Sequence, residues 1–249
     1  MSRGTVIVTG ASRGIGAAVA VSAALEGFSV AVNFVNDRAA AEGVANRIVS
    51  AGGRAFPIQA DMSREEDVVR MFTAVDGKLG NLTALVNNAG VTGGFSRVEN
   101  VTAEALNAVC GVNIVGSILC AREAVRRMSM KRGGAGGAIV NVSSLVARIG
   151  GANEWVHYAA SKGAVNSFTI GLAREVAAEG IRVNAVAPGL VDTDLHARAG
   201  APDRLERMAP SIPMGRAGTA EEVAAGVLWL LSPAAGYVTG TILEIGGGR

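Results

Sequence analysis

The stretch Thr9-Gly10-Ala11-Ser12-Arg13-Gly14-Ile15-Gly16 decides the fold. An apolar, β-branched run from Thr5 to Thr9 leads into it, and small and apolar residues at helical spacing follow from Ile15 to Glu26. A glycine loop between a strand and a helix lets the backbone turn tightly and come close to a phosphate, while the helix N-terminus offers free N–H donors and partial positive charge. The expectation is a dinucleotide site formed by Gly10, Ser12, Arg13, Gly14, Ile15 and Gly16. The spacing is G-x-x-x-G-x-G rather than G-x-G-x-x-G, and no G-K-S/T follows, which removes a mononucleotide P-loop.

Outward from this loop, the strand candidates are Thr5 to Thr9, Ser29 to Phe34, Ala55 to Gln59, Leu82 to Asn87, Ala138 to Ser143, Arg182 to Ala187 and Thr241 to Ile245. Helical patterns lie between most of them, at Ile15 to Glu26, Ala39 to Ser50, Glu65 to Lys78, Glu104 to Met130 and Tyr158 to Glu179. Alternation of this kind predicts an α/β, Rossmann-like, doubly wound fold with a seven-stranded parallel sheet flanked by helices. No linker or internal repeat divides residues 1–249, so one domain is expected. Gly133 to Gly137 reads as a flexible connection, and Asp192 to Arg216 as the one long irregular segment.

Composition narrows the function classes. A net charge of +2 on 249 residues gives no basic surface to attract nucleic acid or a membrane. Cys110 and Cys120 sit ten positions apart in one helical stretch, roughly 15 Å at helical rise, too far for a disulfide. The first strand starts close to Met1 and leaves no room for a signal peptide, so a cytoplasmic location is expected. The uncharged stretch Val223 to Leu243 is long enough to span a bilayer, but Ser232, Pro233, Gly236 and Gly240 cut it into a helix, a turn and a short strand.

A site for NAD(H) usually has an acid at the end of the second strand to hold the ribose 2′-OH. Asn33-Phe34-Val35-Asn36 stand there instead, and Arg13 offers a cation to a 2′-phosphate. NADP(H) is therefore expected over NAD(H), with Asn33 among the cofactor residues. Asp37 comes a few residues late and reads as the N-cap of a helix beginning near Arg38.

Tyr158 and Lys162 lie four apart in a helical segment and share a face. An adjacent ammonium favours the phenolate, which makes Tyr158 a usable general acid or base. Ser143-Ser144 end a strand, where a hydroxyl can bond a substrate carbonyl. With Asn87-Asn88-Ala89-Gly90, Asn113, Tyr158-Ala159-Ala160-Ser161-Lys162 and Pro188-Gly189, the whole chain resembles the short-chain dehydrogenase/reductase family. It is similar in particular to 3-oxoacyl-[acyl-carrier-protein] reductase-like and glucose dehydrogenase-like members. The resemblance implies that Tyr158 gives or takes the proton, Lys162 lowers its pKa and binds the nicotinamide ribose, and Ser144 polarises the carbonyl. It implies that Asn113 distorts its helix and holds a water linking Lys162 to solvent. It further implies that Asp61 and Met62 flank the adenine, that Asn88, Ala89 and Gly90 line the cofactor cleft, and that Pro188, Gly189, Val191 and Thr193 hold the carboxamide end. Ser144 is fourteen residues before Tyr158, one more than the family's commonest spacing. Either Ser143 or a one-residue insertion in the Gly150 to Trp155 loop accounts for that, and the assignment goes to Ser144.

His157 points away from Tyr158 on helical geometry, and His196 can touch substrate or solvent. Two histidines and two cysteines make no metal-ligand spacing. The basic run Arg126 to Arg132 is read as cations at a helix C-terminus. Arg174 matches an acyl-carrier docking position, but one that recurs in family members of other specificity. The expected activity is that of an NADP(H)-dependent oxidoreductase acting on a small-molecule carbonyl or alcohol. An NAD-linked sugar or polyol dehydrogenase and a non-enzymatic dinucleotide sensor are the alternatives. Residues 190–215 are expected to form the substrate lid, and the resemblance implies a homo-oligomer, typically a tetramer.

Overall fold

The computed structural model describes residues 3–249, apart from the side chains of His196 and Arg198. Seven strands, β1 (Thr5–Val8), β2 (Ser29–Phe34), β3 (Arg54–Gln59), β4 (Leu82–Asn87), β5 (Gly137–Val142), β6 (Ile181–Pro188) and β7 (Ile242–Ile245), form one sheet in the order β3-β2-β1-β4-β5-β6-β7. Every pairing is parallel. Successive side chains on a strand point to opposite faces, and the alternation splits the interior into two cores. Val6, Val8, Val30, Val32, Val86 and Val140 face one, while Ile7, Ala31, Leu85 and Ile139 face the other.

The first core is covered by α1 (Gly14–Leu25), α2 (Arg38–Ser50) and α10 (Ala220–Leu231), and the second by α3 (Glu65–Leu79), α5 (Ser117–Met128) and α7 (Val156–Val176). The chain order reverses at β1 and β4. Each runs outward to a different edge, so their C-terminal ends bound a crevice, the position where doubly wound sheets bind ligands.

Two differences from the expected elements bear on the site. The predicted helix Glu104 to Met130 is three pieces: α4 (Ala103–Cys110), a π-helical turn over Gly111–Gly116, and α5. The segment expected to be irregular holds two short helices, α8 (Leu195–Arg198) and α9 (Arg204–Met208). A further short helix, α6 (Val146–Ile149), follows β5. The stretch from Val223 resolves as expected into the end of α10, a turn and β7.

Candidate active site

Glycines open the crevice. Gly10 and Gly14 take φ values of +61° and +52°, in the region that side chains rarely adopt, and a Cβ on Gly16 would collide with Gly10 O and Asn88 Nδ2. Helices α2, α3 and α10 begin with acids or capping side chains: Glu65, Glu66 and Asp67 in α3, Asp37 at α2, and a Thr219–Glu222 capping box at α10. Helix α1, which follows the glycine loop, has Arg13 at its N-cap with no side-chain cap and no acid in its first turn, as α7 also has neither. Its N–H donors are left for an anion.

Asn33 corrects one expectation. It is fully buried behind the loop, its Oδ1 accepts from Gly10 N–H at 3.0 Å, and its Nδ2 donates to the carbonyls of Phe34, Ile58 and Ala60. With every polar atom spent, it shapes the glycine loop and does not reach a ligand. Asp37 caps α2 through Ala40 N–H at 3.0 Å, as expected, and its other oxygen pairs with Arg13 Nη2 at 2.6 Å.

Thr9 and Asn88 join the two sides of the crevice. Asn88 Nδ2 donates to the carbonyls of Thr9 and Gly10, while the Asn88 and Ala89 N–H groups both donate to Thr9 Oγ1 at 2.9 Å. Asp61 is half-buried and its Oδ1 accepts from the N–H and hydroxyl of Ser63, whereas the Met62 side chain is buried in the second core beside Cys120. Pro188 and Gly189 are fastened by Leu145 N–H to Pro188 O and Gly189 N–H to Ile245 O, both at 2.9 Å. Val191 bridges to Gly218, and the side chain of Thr193 stands over Gly14. Ser12 and Ile15 are half-buried in the loop.

Tyr158 and Lys162 both occur in the first turns of α7, and both are buried. Lys162 Nζ donates to Val142 O at 2.7 Å and lies 5.7 Å from the Tyr158 ring centroid. A Cβ on the exposed Gly90 would come within 3.5 Å of Nζ, which places the loop after β4 against the lysine. Burial pushes the Tyr158 hydroxyl up to about 12, and a hydrogen bond with Ser144 pulls the other way. Burial draws Lys162 down to about 8. Desolvation is thus the largest influence on Tyr158 and favours the protonated phenol.

The two serines separate cleanly. Ser143 is 2% exposed and bonds to Asn166 Oδ1 at 2.6 Å, while Ser144 is half-buried and meets Tyr158. Asn113 sits in the π-helical turn, 1% exposed, where Oδ1 accepts from Val91 N–H and Nδ2 donates to Val91 O and Ser161 Oγ, each at 2.9 Å. Ser161 in turn donates to Tyr158 O. The helix distortion expected at Asn113 is present, and its amide ties the loop after β4 to the helix that carries Tyr158.

His157 spends Nε2 on Thr92 O at 2.9 Å, holding the same loop, and Nδ1 is buried without a partner. The side chain of His196 lies outside the described residues. Sequence reasoning missed Thr9, Ser161, Phe95, Glu154, Trp155 and Arg204, of which the last four form one cluster beside Tyr158. Their contacts join segments up to 109 residues apart, so spacing in the sequence carries no sign of them.

Comparison with known proteins agrees with this geometry. The family model adh_short_C2, described as Enoyl-(Acyl carrier protein) reductase, matches residues 10–249. The chain is 54% identical over 243 residues to a protein named uncharacterized oxidoreductase YgfF from Escherichia coli (strain K12), covering 98% of both. It is 37% identical to the 3-oxoacyl-[acyl-carrier-protein] reductase FabG of Staphylococcus aureus (strain Mu50), covering 97% of this chain and 96% of that one. Among solved structures, a short chain dehydrogenase from Burkholderia cenocepacia J2315 in complex with NADP superposes with a TM-score of 0.91 at 33% identity, covering 99% of this chain and 98% of that one. With a parallel seven-stranded sheet, a glycine loop at its switch point and a Ser-Tyr-Lys cluster across the crevice, the chain belongs to the short-chain dehydrogenase/reductase family of oxidoreductases.

Proposed function

We propose that this protein is an NADP(H)-dependent ketoreductase, running in reverse as a secondary-alcohol dehydrogenase, with Tyr158 as its general acid and base. The observation that carries the reading is the pairing of the Ser144 and Tyr158 hydroxyls on the side of the crevice where Lys162 meets Gly90. A nicotinamide dinucleotide fits the crevice. The glycine cradle leaves no room for side chains, α1 presents uncapped donors, and Lys162 stands where the loop after β4 is exposed.

The bound cofactor supplies the hydride for reduction and accepts it for oxidation. Tyr158, held protonated by burial, gives its proton to the carbonyl oxygen as charge develops there, while Ser144 donates a hydrogen bond to the same oxygen. Lys162 keeps a cation close to the phenolate left behind, limiting its cost in a buried place. Asn113 and His157 fix Val91 and Thr92, so the loop after β4 keeps its position against α7.

Arg13 supports NADP(H), since a guanidinium at the glycine loop matches a 2′-phosphate. One observation favours NAD(H) as a second reading: the Asp37 carboxylate reaches Arg13 at 2.6 Å, so an acid also stands beside the loop. The test of the chemistry is Tyr158→Phe, which removes one hydroxyl. Turnover of a ketone is expected to fall about 100-fold or more, with NADPH affinity retained in fluorescence titration. Near-normal turnover in this variant overturns the mechanism.

A further inference from the structure

Beside Tyr158, the lid is fastened to the body by a half-buried ion pair set on stacked rings. Arg204, the first residue of α9, donates from Nη1 and Nη2 to the two carboxylate oxygens of Glu154, each at 2.7 Å. Its side chain is 7% exposed, and its guanidinium lies 4.6 Å from the Trp155 ring centroid and 5.2 Å from that of Phe95. Phe95 and Trp155 stack at 4.3 Å, and Trp155 meets the Tyr158 ring edge-on at 5.9 Å. Ala199, at the end of α8, packs on the same cluster together with Val146.

These residues come from four places in the chain: the loop after β4, α6, the approach to α7 with its first turn, and the lid. A bidentate Arg–carboxylate pair with a stacked guanidinium is a demanding geometry, and lysine or glutamine does not reproduce it. Arg204 holds the Glu154 carboxyl below the usual carboxylate range, so the pair is charged at neutral pH. Both carboxylate oxygens and both terminal nitrogens are taken up within the pair, the guanidinium covers the stacked rings, and its buried Nε is left without a hydrogen-bond partner among the described residues. Glu154 remains one-third exposed, and Arg207 and Arg249 add to the pull of Arg204 on its carboxyl. Trp155 is 5% exposed, so the ring stack is packing that the lid closes over, with Tyr158 at its edge.

We propose that Arg204 and Glu154 are positioning residues, a latch that holds the lid closed over Tyr158 and so retains a ketone substrate beside it. The substrate half of this proposal rests on the reading of Tyr158 as proton donor to a carbonyl; the latch itself does not.

The test uses Arg204→Met, Glu154→Gln and the double variant in the full-length protein, each checked for a cooperative melt. Glu154→Gln keeps the shape of the side chain and serves if Arg204→Met fails to fold. Limited chymotrypsin digestion is expected to cut residues 195–208 about fivefold faster in each single variant, and no faster still in the double, as for two halves of one contact. For an uncharged aryl ketone, KM is expected to rise about tenfold with kcat changed less than about threefold and NADPH affinity unchanged. Unchanged digestion of the lid overturns the latch. Faster digestion with KM within about twofold overturns the role in substrate retention. A wild-type protein that reduces no carbonyl compound at all defeats the oxidoreductase reading, and the digestion still decides the latch.

Discussion

Ser143 and Ser144 are adjacent in sequence, and only their surroundings tell them apart. The spacing to Tyr158 pointed equally to an insertion or to Ser143, because counting residues does not show which hydroxyl a turn aims at the crevice. In the fold, Ser143 is consumed by Asn166, and Ser144 meets Tyr158. Ser144→Ala is therefore expected to lower kcat by about 10- to 100-fold, the scale of one lost hydrogen bond to a developing oxyanion, with little change in melting temperature. Ser143→Ala should do the reverse, since it takes the donor from the half-buried Asn166 Oδ1 and costs about 1 kcal/mol of stability. A kcat unaffected in Ser144→Ala would return the role to Ser143. Lys162 was legible in sequence as a partner of Tyr158, but its burial was not. Its folded-state pKa of about 8 lies below the ordinary lysine value, so the unfolded chain binds more protons between the two. The penalty on stability is full below about pH 8 and fades as pH rises toward the free-lysine value of about 10. A displacement of that size is worth at most about 3 kcal/mol, and losing the donor to Val142 O offsets about 1 of these. Lys162→Met should thus melt higher than the parent protein at pH 7, by a margin that shrinks toward pH 10, while losing turnover. Calorimetry across pH checks the sign, and a lower melting point at pH 7 would show that the lysine's packing outweighs its desolvation.

At the scale of elements, strand positions were legible because buried parallel strands are short β-branched runs between glycines, and Ser29–Phe34 and Leu82–Asn87 emerged with the expected ends. The break in the helix around Asn113 was not visible in periodicity. Gly111–Gly116 keeps apolar spacing, and the π-turn arises from the bonds of the Asn113 amide to Val91 and Ser161, far along the chain. The short helices α8 and α9 were missed for a similar reason, since four or five residues give too little pattern to read. The helix starts carry a functional contrast. Asp37 caps α2 and also reaches back to Arg13 at the uncapped start of α1, so one carboxylate serves two elements. A 2′-phosphate must compete with Asp37 for Arg13. Asp37→Asn is accordingly expected to tighten NADPH binding by a few-fold, because the exposed pair it releases is weak, about 0–1 kcal/mol. Arg13→Ala should narrow the NADPH preference over NADH. Equal dissociation constants for the two cofactors in the unmodified protein would remove the basis of the NADP(H) reading.

For the whole molecule, the outer face of α5 and α7 is what the monomer leaves unexplained. Val115, Ile118 and Ile170 are between 38% and 47% exposed, and Ile118, Val125, Phe168 and Leu172 line a shallow groove between the two helices. The run Ala103–Met128 is long and apolar enough by length and composition to cross a bilayer. Its chemistry argues for another cover. One side of the run is committed to the sheet through Val109, Cys120, Ala121 and Ala124, the buried amide of Asn113 interrupts it, and Arg122, Glu123, Arg126 and Arg127 crowd its last turns in ion pairs. An apolar stripe on one side of a helix pair, flanked by charge, suits a second copy presenting the same stripe about a two-fold axis. Burying it removes apolar area from water at about 25 cal/mol per Å², and α7 carries Tyr158, so assembly would also stiffen the helix that positions Tyr158. Sedimentation at micromolar concentration is expected to show a dimer or tetramer. Ile118→Glu, which puts a charge in the middle of the stripe without touching the crevice, should shift the population to smaller species and lower turnover by less than Tyr158→Phe does. A clean monomer for the unmodified protein at that concentration would leave the stripe without its partner and remove assembly from the account of the site.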